Sequence, residues 1–593
     1  MAEADVRPPG PPNSPNPSSS PNLVFVLTDD QGYGDLGCHG NPVVQTPHID
    51  RFFDQSVRLD NFHVGPTCAP TRAGLLTGHY CNSTGVWHTC GGRSLLRKGE
   101  VSIADLFAAN GYRTGIFGKW HLGDNYPYRP HDRGFGEAIV HGGGGITQTP
   151  DYWGNDYFDD TYFVNGCTKK FEGYCTDVWF GEAMRFIEEN RERPFFCYIP
   201  TNAPHWPFFV DERYAAPYHG LVPSERAKFY GMITNIDENF ALLRQHLARL
   251  GLEEQTILVF MSDNGTAQGC EIGGDGFVID GFNAGMRGKK GSPYEGGHRV
   301  PFFVRWPGGG IGGGAGEGRR VGELAANVDF LPTMVELCGL ECPEGLAFDG
   351  VSLAPLLRGG LHGGGEPWPE RTVVTDSQRL ARPVKWRQSS TMTQRWRLID
   401  GRELFDIPAD PEQRVDVAGA HPEVVEALRR DYEAWWEQVS TQFDEEIPIP
   451  LVAGPEQVTL LTTHDWRNED SACAWNQRQV RQGLVCNGYW EVEVVVAGRY
   501  AFELRRWPLE EDRGLTEGIP GEIDWTTGGR AIPIERAWIE IAGQREEVTV
   551  RDGDPHARFE LELPVGATHL RTCLLDAEGS DLGAYYVYVS RLR

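Results

Sequence analysis

Along roughly the first two-thirds of the chain, short runs of wholly apolar residues alternate with segments whose apolar positions recur every three to four residues. Leu23-Val24-Phe25-Val26-Leu27 is one such run, and it ends in Thr28-Asp29-Asp30-Gln31-Gly32. Ile257-Leu258-Val259-Phe260-Met261 is another, ending in Ser262-Asp263-Asn264-Gly265. Continuous apolar runs bounded by turn residues predict parallel strands buried on both faces. Helical spacing over 223–250, with Ile233, Ile236, Phe240, Leu243 and Leu247 on one face, predicts a covering helix, and Ser102 to Asn110 a shorter one. The alternation predicts a doubly wound, mostly parallel α/β sheet for residues 22–375. Within it, the glycine-rich stretch from Ala138 to Ile146 reads as a mobile loop over a site, and Gly308 to Gly318 as a surface connector.

The pattern changes twice further on. Residues 376–446 read as a small α+β subdomain, with Trp396-Arg397-Leu398-Ile399 and Glu403-Leu404-Phe405-Asp406 as strands. A helix from Pro422 to Val439 turns Val425, Leu428, Tyr432, Trp435 and Trp436 inward. After the Pro-rich hinge Ile447-Pro448-Ile449-Pro450, apolar positions recur with period two, as in Trp490-Glu491-Val492-Glu493-Val494 and Tyr500-Ala501-Phe502-Glu503-Leu504. That predicts an antiparallel β-sandwich over 447–593, an accessory module containing none of the motif residues described below. Its tryptophans (Trp466, Trp475, Trp490, Trp507, Trp525 and Trp538) read either as core and inter-domain packing or as a stacking platform for sugars. Residues 1–21, rich in Pro, Ser and Asn without an apolar stretch, read as a disordered tail and not a signal peptide.

The strand ends carry the candidate chemistry. Open α/β sheets bind ligands outside the carboxyl ends of their strands, where Asp29, Asp30, Asp263 and Asn264 fall. Four hard oxygen ligands suit Ca²⁺ or Mg²⁺, and the lack of a Cys/His cluster beside them argues against Zn²⁺. A third strand end, Gly115-Ile116-Phe117-Gly118-Lys119-Trp120-His121, supplies a fixed cation in Lys119 and a proton acceptor in His121. Asn202-Ala203-Pro204-His205-Trp206-Pro207 offers a second histidine, and Gly288-Lys289-Lys290-Gly291 further lysines.

Cys68-Ala69-Pro70-Thr71-Arg72 resembles the sulfatase signature Cys-x-Pro-x-Arg, whose cysteine is oxidised during biosynthesis to formylglycine. Gly118-Lys119-Trp120-His121-Leu122-Gly123, Pro204-His205 and the Lys-Gly-x-x-x-Glu-Gly-Gly pattern ending in Glu295-Gly296-Gly297 resemble further segments of that family, in order, over residues 22 to 440. The lysine preceding the first glycine of that pattern is Lys290, not Lys289; His298 falls at a variable family position and reads as structural. Ala69 departs from the small hydroxylated or thiol residue common there. The resemblance implies hydrolysis of sulfate monoesters of an arylsulfatase-like kind, with a sulfated carbohydrate as natural substrate. It implies a formylglycine hydrate from Cys68, made by a maturating enzyme, and one Ca²⁺ (Mg²⁺ second) held by Asp29, Asp30, residue 68, Asp263 and Asn264. Arg72 would hold the hydrate and Lys119 and Lys290 the transferring oxygens. His205 would protonate the leaving group, and His121 would release sulfate. It also implies a place outside the cytoplasm, periplasmic or secreted; with no signal peptide visible, removal of a signal and a cytoplasmic place both stay open. Two rivals stand beside it: a phosphonate or phosphate ester hydrolase of the same superfamily, and a non-catalytic glycan-binding protein.

Composition narrows this further. A length of 593 residues suits two or three domains, and a formal net charge of −28 argues against nucleic acid or an anionic membrane as partner. An anionic substrate must then be drawn by a local cluster: the metal, Arg72, Lys119 and Lys290. No run of 18 or more apolar residues predicts a membrane span. Of the 13 cysteines, the close pairs Cys81/Cys90, Cys167/Cys175, Cys338/Cys342 and Cys473/Cys486 are disulfide candidates, with connectivity open.

Overall fold

The computed structural model describes residues 20–592 apart from 314–315, 317, 360–367 and 470–471. Nearly all of the 1–21 segment read as a tail therefore lies outside the described residues, as does part of the 308–318 connector. The expected α/β sheet has ten strands. In spatial order they are Arg319–Val321, Val57–Leu59, Phe302–Arg305, Thr256–Ser262, Asn22–Thr28, Phe195–Pro200, Arg113–Lys119, Glu137–His141, Thr161–Val164 and Cys167–Lys170. The five strands from Thr256–Ser262 to Glu137–His141 run parallel. Antiparallel pairs flank them on both sides.

The apolar runs are continuous because the central strands feed two cores. Leu23, Phe25, Leu27, Ile257, Val259 and Met261 enter one hydrophobic cluster, whereas Val24, Val26, Leu258 and Phe260 enter the other. The first cluster is covered by the helices Cys68–Thr77, Ile103–Ala109 and Phe330–Cys338. Pro47–Gln55, Cys175–Asn190 and Ser224–Arg249 cover the second. Ser102 caps the Ile103–Ala109 helix by accepting from the Asp105 N–H, while Asp105 accepts from the Ser102 N–H. Such a capping box is worth about 1 kcal/mol.

The stretch 138–146 is only in part a loop. Glu137–His141 is a strand paired with Arg113–Lys119, and Gly142 to Ile146 are buried. The register ends at His141, and the glycines that follow form a buried turn, Gly144 lying against the His121 ring. The small α+β subdomain has four antiparallel strands, starting at Val373–Asp376, with the Pro422–Val439 helix against them. The expected boundary at 375 thus falls within its first strand.

The C-terminal part is a sandwich of a five-stranded and a four-stranded sheet. Its pairings are antiparallel except that Ile449–Leu451 adds parallel to Tyr489–Val494. The expected hinge is therefore an edge strand, a position that tolerates Pro450. The module shares part of its core with the catalytic domain. Cys90, Leu95, Tyr128 and Trp153 of the catalytic domain share one hydrophobic cluster with Trp466, Trp490, Phe502 and Trp507 of the sandwich. Backbone bonds cross the seam, from Thr149 N to Trp475 O (3.0 Å), Gln477 N to Thr147 O (2.9 Å) and Gly91 N to His464 O (2.7 Å). None of the 13 cysteines forms a disulfide. The candidate pairs stand as thiols, and Cys90 faces Cys473 across the seam. Among the described residues, no helix is long and apolar enough to cross a membrane.

Candidate active site

Parallel register between Asn22–Thr28 and Thr256–Ser262 sets Thr28 opposite Ser262, so Asp29 and Asp263 leave the sheet at one level. Asp30 follows with φ 66°, a left-handed conformation that costs a non-glycine residue about 1 kcal/mol or more and is concentrated at functional sites. The strain lets the Asp30 N–H donate to Asp263 Oδ1 (3.1 Å) while Asn264 Nδ2 donates to Asp30 Oδ1 (2.9 Å). Gly265 then runs so close to the Glu295–His298 helix that a Cβ there would lie 1.9 Å from the Gly296 carbonyl oxygen. Only glycine permits that approach.

Cys68 opens the Cys68–Thr77 helix, every residue of which is buried. Ligand atoms of Cys68, Asp29 and Asp263 all lie within 4.8 Å of one another. One helical turn on, the buried Arg72 donates from Nε and Nη2 to Asp263 Oδ2 (3.2 and 2.8 Å) and from Nη1 to the Lys119 carbonyl (3.1 Å). Lys119 Nζ meets Asp29 Oδ2 at 2.6 Å, and Lys290 Nζ meets Asp30 Oδ1 at 2.5 Å. Lys289 turns away towards the Cys270 carbonyl. All the residues read as site members from the sequence, Asp29, Asp30, Cys68, Arg72, Lys119, His121, His205, Asp263, Asn264 and Lys290, thus lie around one strand edge.

The electrostatics follow from burial and these pairs. Burial opposes the charge on Asp30, yet Lys290, His205 and Lys119 together hold its carboxyl well below the usual range. Asp263 goes the other way, up to about 6, through burial and the neighbouring Asp29 carboxylate. Burial likewise opposes charge on Lys290, but Asp30 outweighs it and keeps the ammonium protonated. Two oxygens of the set, Asp29 Oδ1 and Asn264 Oδ1, are buried without any hydrogen-bond partner. Orphaned carboxylate and amide oxygens, with two more carboxylates at hand, are a donor set that fits a hard divalent cation.

The two histidines are held differently. His121 has φ 63°, and its Nε2–H donates to the Thr89 carbonyl (2.8 Å), which leaves Nδ1 a buried lone pair with no partner. Burial, then Lys119 and His464, push its pKa well below the ordinary value. These effects favour the neutral ring, with Nδ1 open to accept. The ring lies against Gly144, where a Cβ would come within 2.3 Å of His121 Cε1. His205 donates from Nδ1 to the Trp206 carbonyl (2.6 Å) and turns Nε2 towards Asp30 Oδ2 at 3.7 Å. Burial lowers its pKa to about 3. The His205 and Lys290 side chains keep 12% and 16% exposure while those of Asp29, Arg72, Lys119 and Asp263 keep none, so the way in passes between the first two.

Some neighbours carried no signal in the sequence. His464 of the sandwich is buried with its ring 5.9 Å from that of His121 and its Nδ1 3.7 Å from Asp465 Oδ1. Burial opposes its charge, but Asp465, Cys90 and Asp124 raise its pKa above the ordinary value. Asp124 accepts from the Gly143 N–H, and Gln148 from the Gly144 N–H, fixing the glycine stretch beside His121. Asp124 and Asp465 also line a cavity of about 490 Å³ between the catalytic domain and the sandwich. His464-Asp465 could have been noticed as a polar pair between predicted strands, but nothing local tied it to this edge.

A family model described as Sulfatase matches residues 21–340, which carry all of these motif residues. The chain belongs to the sulfatase family. This sulfatase is similar to arylsulfatase A of Homo sapiens, with 32% identity over 372 residues, 57% of this chain and 68% of that protein. It is similar to N-acetylgalactosamine-6-sulfatase of Homo sapiens, with 30% identity over 370 residues, 58% of this chain and 66% of that protein. Among solved structures it resembles Ps i-CgsB in complex with k-i-k-neocarrahexaose. There the TM-score is 0.62 at 26% identity, covering 72% of this chain and 94% of that one. The sulfatase is accordingly a sulfuric ester hydrolase with the α/β fold of its family.

Proposed function

We propose that this sulfatase hydrolyses sulfate monoesters of a carbohydrate, using a formylglycine hydrate derived from Cys68 beside one bound Ca²⁺. The observation that carries the reading is the buried convergence of Cys68, Asp29 and Asp263 with the orphaned oxygens Asp29 Oδ1 and Asn264 Oδ1. A maturating enzyme supplies the aldehyde. Asp29, Asp30, residue 68, Asp263 and Asn264 would hold the cation. The cation and the matured residue would supply an activated hydroxyl for attack on sulfur and a way to expel sulfate without a second attack at sulfur.

The remaining residues act around that chemistry. Arg72 is locked by Asp263 and fixes the orientation of residue 68 from below. With Asp29 and Asp30 engaged in holding a cation, the ammonium groups of Lys119 and Lys290 would be free to bind the sulfate oxygens, each such interaction being worth about 2–4 kcal/mol of barrier. With its pKa at about 3 the His205 ring is neutral, its one proton on Nδ1 and Nε2 bare, but a substrate anion arriving beside it raises that value. It then protonates the leaving oxygen together with Lys290. His121 Nδ1, already bare, takes the proton whose loss releases sulfate. Carbohydrate is favoured because relatives named for N-acetylgalactosamine 6-sulfate and crystallised with a neocarrahexaose share this fold. Turnover of 4-nitrophenyl sulfate and 4-nitrophenyl phosphate by enzyme whose residue 68 is matured by intact mass tests the reading. A faster phosphate reaction, or no sulfate reaction, overturns it.

A further inference from the structure

Several buried arginines of this chain lack an ion pair but donate to backbone carbonyls instead, as Arg133 and Arg481 do. Arg72, Lys119 and Lys290 are each matched by a carboxylate. Arg478 is not. It belongs to the sandwich and is half-buried, and its Nε is buried without a hydrogen-bond partner. Among the described residues, no carboxylate lies within ion-pair distance of it. Its guanidinium instead lies 5.4 Å from the ring centroid of Trp525. Trp525 meets Trp206 edge-on at 3.8 Å, and Trp206 is the residue after His205. Trp475 stands 6.5 Å from Trp206.

This group differs from the sandwich core. Trp466, Trp490 and Trp507 are fully buried, whereas Trp206 and Trp475 remain half-exposed at the seam, on the side where His205 opens the site. The seam is also fixed, since Thr149 N bonds the Trp475 carbonyl and Gln477 N the Thr147 carbonyl, just before Arg478 in the chain. Half-exposed indole faces suit the C–H faces of a sugar, and a guanidinium already set against an indole is a preorganised fork for a sulfate or carboxylate.

We propose that Arg478, with Trp206 and Trp475, forms a subsite beside His205 that binds a second anionic group, sulfate or carboxylate, on the sugar chain carrying the scissile ester. The proposal rests on the sulfatase reading of the site and adds that the substrate is polyanionic. It also accounts for how so acidic a protein draws such a chain: two local cationic points, not a basic surface.

Dextran sulfate, with neutral dextran as control, serves as the probe. Its inhibition of 4-nitrophenyl sulfate hydrolysis should be competitive and should weaken with added salt. Arg478→Gln removes a charge-assisted hydrogen bond and should raise the inhibition constant about tenfold. That rise should far exceed any change in KM for 4-nitrophenyl sulfate. Arg478→Lys should restore part of the affinity, which a purely structural role would not predict. Tryptophan fluorescence titration with dextran sulfate reads the same affinity without turnover. Missing hydrolysis with intact binding would therefore count against the sulfatase chemistry alone. Equal affinity of wild type and Arg478→Gln, or equal binding of neutral dextran, would overturn the subsite.

Discussion

Among the described residues of this sulfatase, two buried clusters have the composition of metal sites, and they differ in their physics. Asp29, Cys68 and Asp263 form the first; His63, Glu295 and His298 form the second. In the second, the cation is already present as a side chain. Arg397 Nε donates to Glu295 Oε1 at 2.7 Å with both groups fully buried, and Arg397 Nη2 donates to Asn61 Oδ1 at 2.8 Å. The Nδ1 atoms of His63 and His298 share a hydrogen bond of 2.9 Å, and His298 Nε2 donates to the Pro293 carbonyl. No side-chain atom of that cluster is left over, whereas the first leaves Asp29 Oδ1 and Asn264 Oδ1 bare. Residue type nominates a site; unsatisfied buried atoms distinguish a binding site from a structural network.

The sharpest way to break the comparison is at residue 68. In Cys68→Ser a single hydroxyl can attack sulfur, but the resulting ester needs a fresh attack at sulfur for release. Steady turnover of 4-nitrophenyl sulfate should fall by about 10³-fold or more, with a covalent sulfate adduct seen by intact mass after mixing. Sustained turnover without an adduct would mean that the chemistry is wrong. Next comes the metal. Exhaustive chelation, or Asp263→Asn, should remove one equivalent of Ca²⁺ by elemental analysis and lower turnover by about 10²-fold or more. Glu295→Gln should keep the cation. Loss of bound metal on changing Glu295 would erase the distinction between the clusters.

Glu295→Gln should instead act on stability. It strands the Arg397 charge in the interior, a change that typically costs about 3–5 kcal/mol, readable as a lower denaturant midpoint. A smaller effect is expected from acid. Burial lowers the pKa of His63 well below its ordinary value and that of His298 to about 4. The unfolded chain therefore takes up these protons first, and stability is lost as pH falls from about 6.5 towards 4. Glu295, against whose charge burial works but which Arg397 and His63 hold well below 4.5, adds a loss in the same direction at lower pH. His298→Gln should flatten the upper part of this limb in urea titrations at several pH values. An unchanged slope would show that the His63–His298 pair does not titrate on unfolding.

Much of the first cluster was legible because it is written in strand ends. An apolar run that stops at Asp29-Asp30, and another at Asp263-Asn264, declare both the strand and the side chain that leaves it. The glycine stretch misled for a related reason. Gly142 to Gly145 look unconstrained in sequence, but the Asp124 carboxylate and the Gln148 amide oxygen hold the N–H groups of Gly143 and Gly144, and the His121 ring needs the absent Cβ at Gly144. The sandwich misled more. Its period-two strands were plain, yet nothing in them announced that Leu95, Tyr128 and Trp153 would complete its core or that His464 would lie against His121.

What the sequence determined by itself is local and periodic: the doubly covered strands, the period-two sandwich, and the order of the motif residues. These follow from how each residue's neighbours in the chain make it face one core, two cores or solvent. Tertiary structure alone decided which polar atoms were left without partners, that Arg478 found neither carboxylate nor carbonyl among the described residues, and which domain walls the site. Those are sums over atoms that chain separation hides, since Arg397 neutralises Glu295 and Arg72 locks Asp263 only once the sheet, subdomain and sandwich have closed around them.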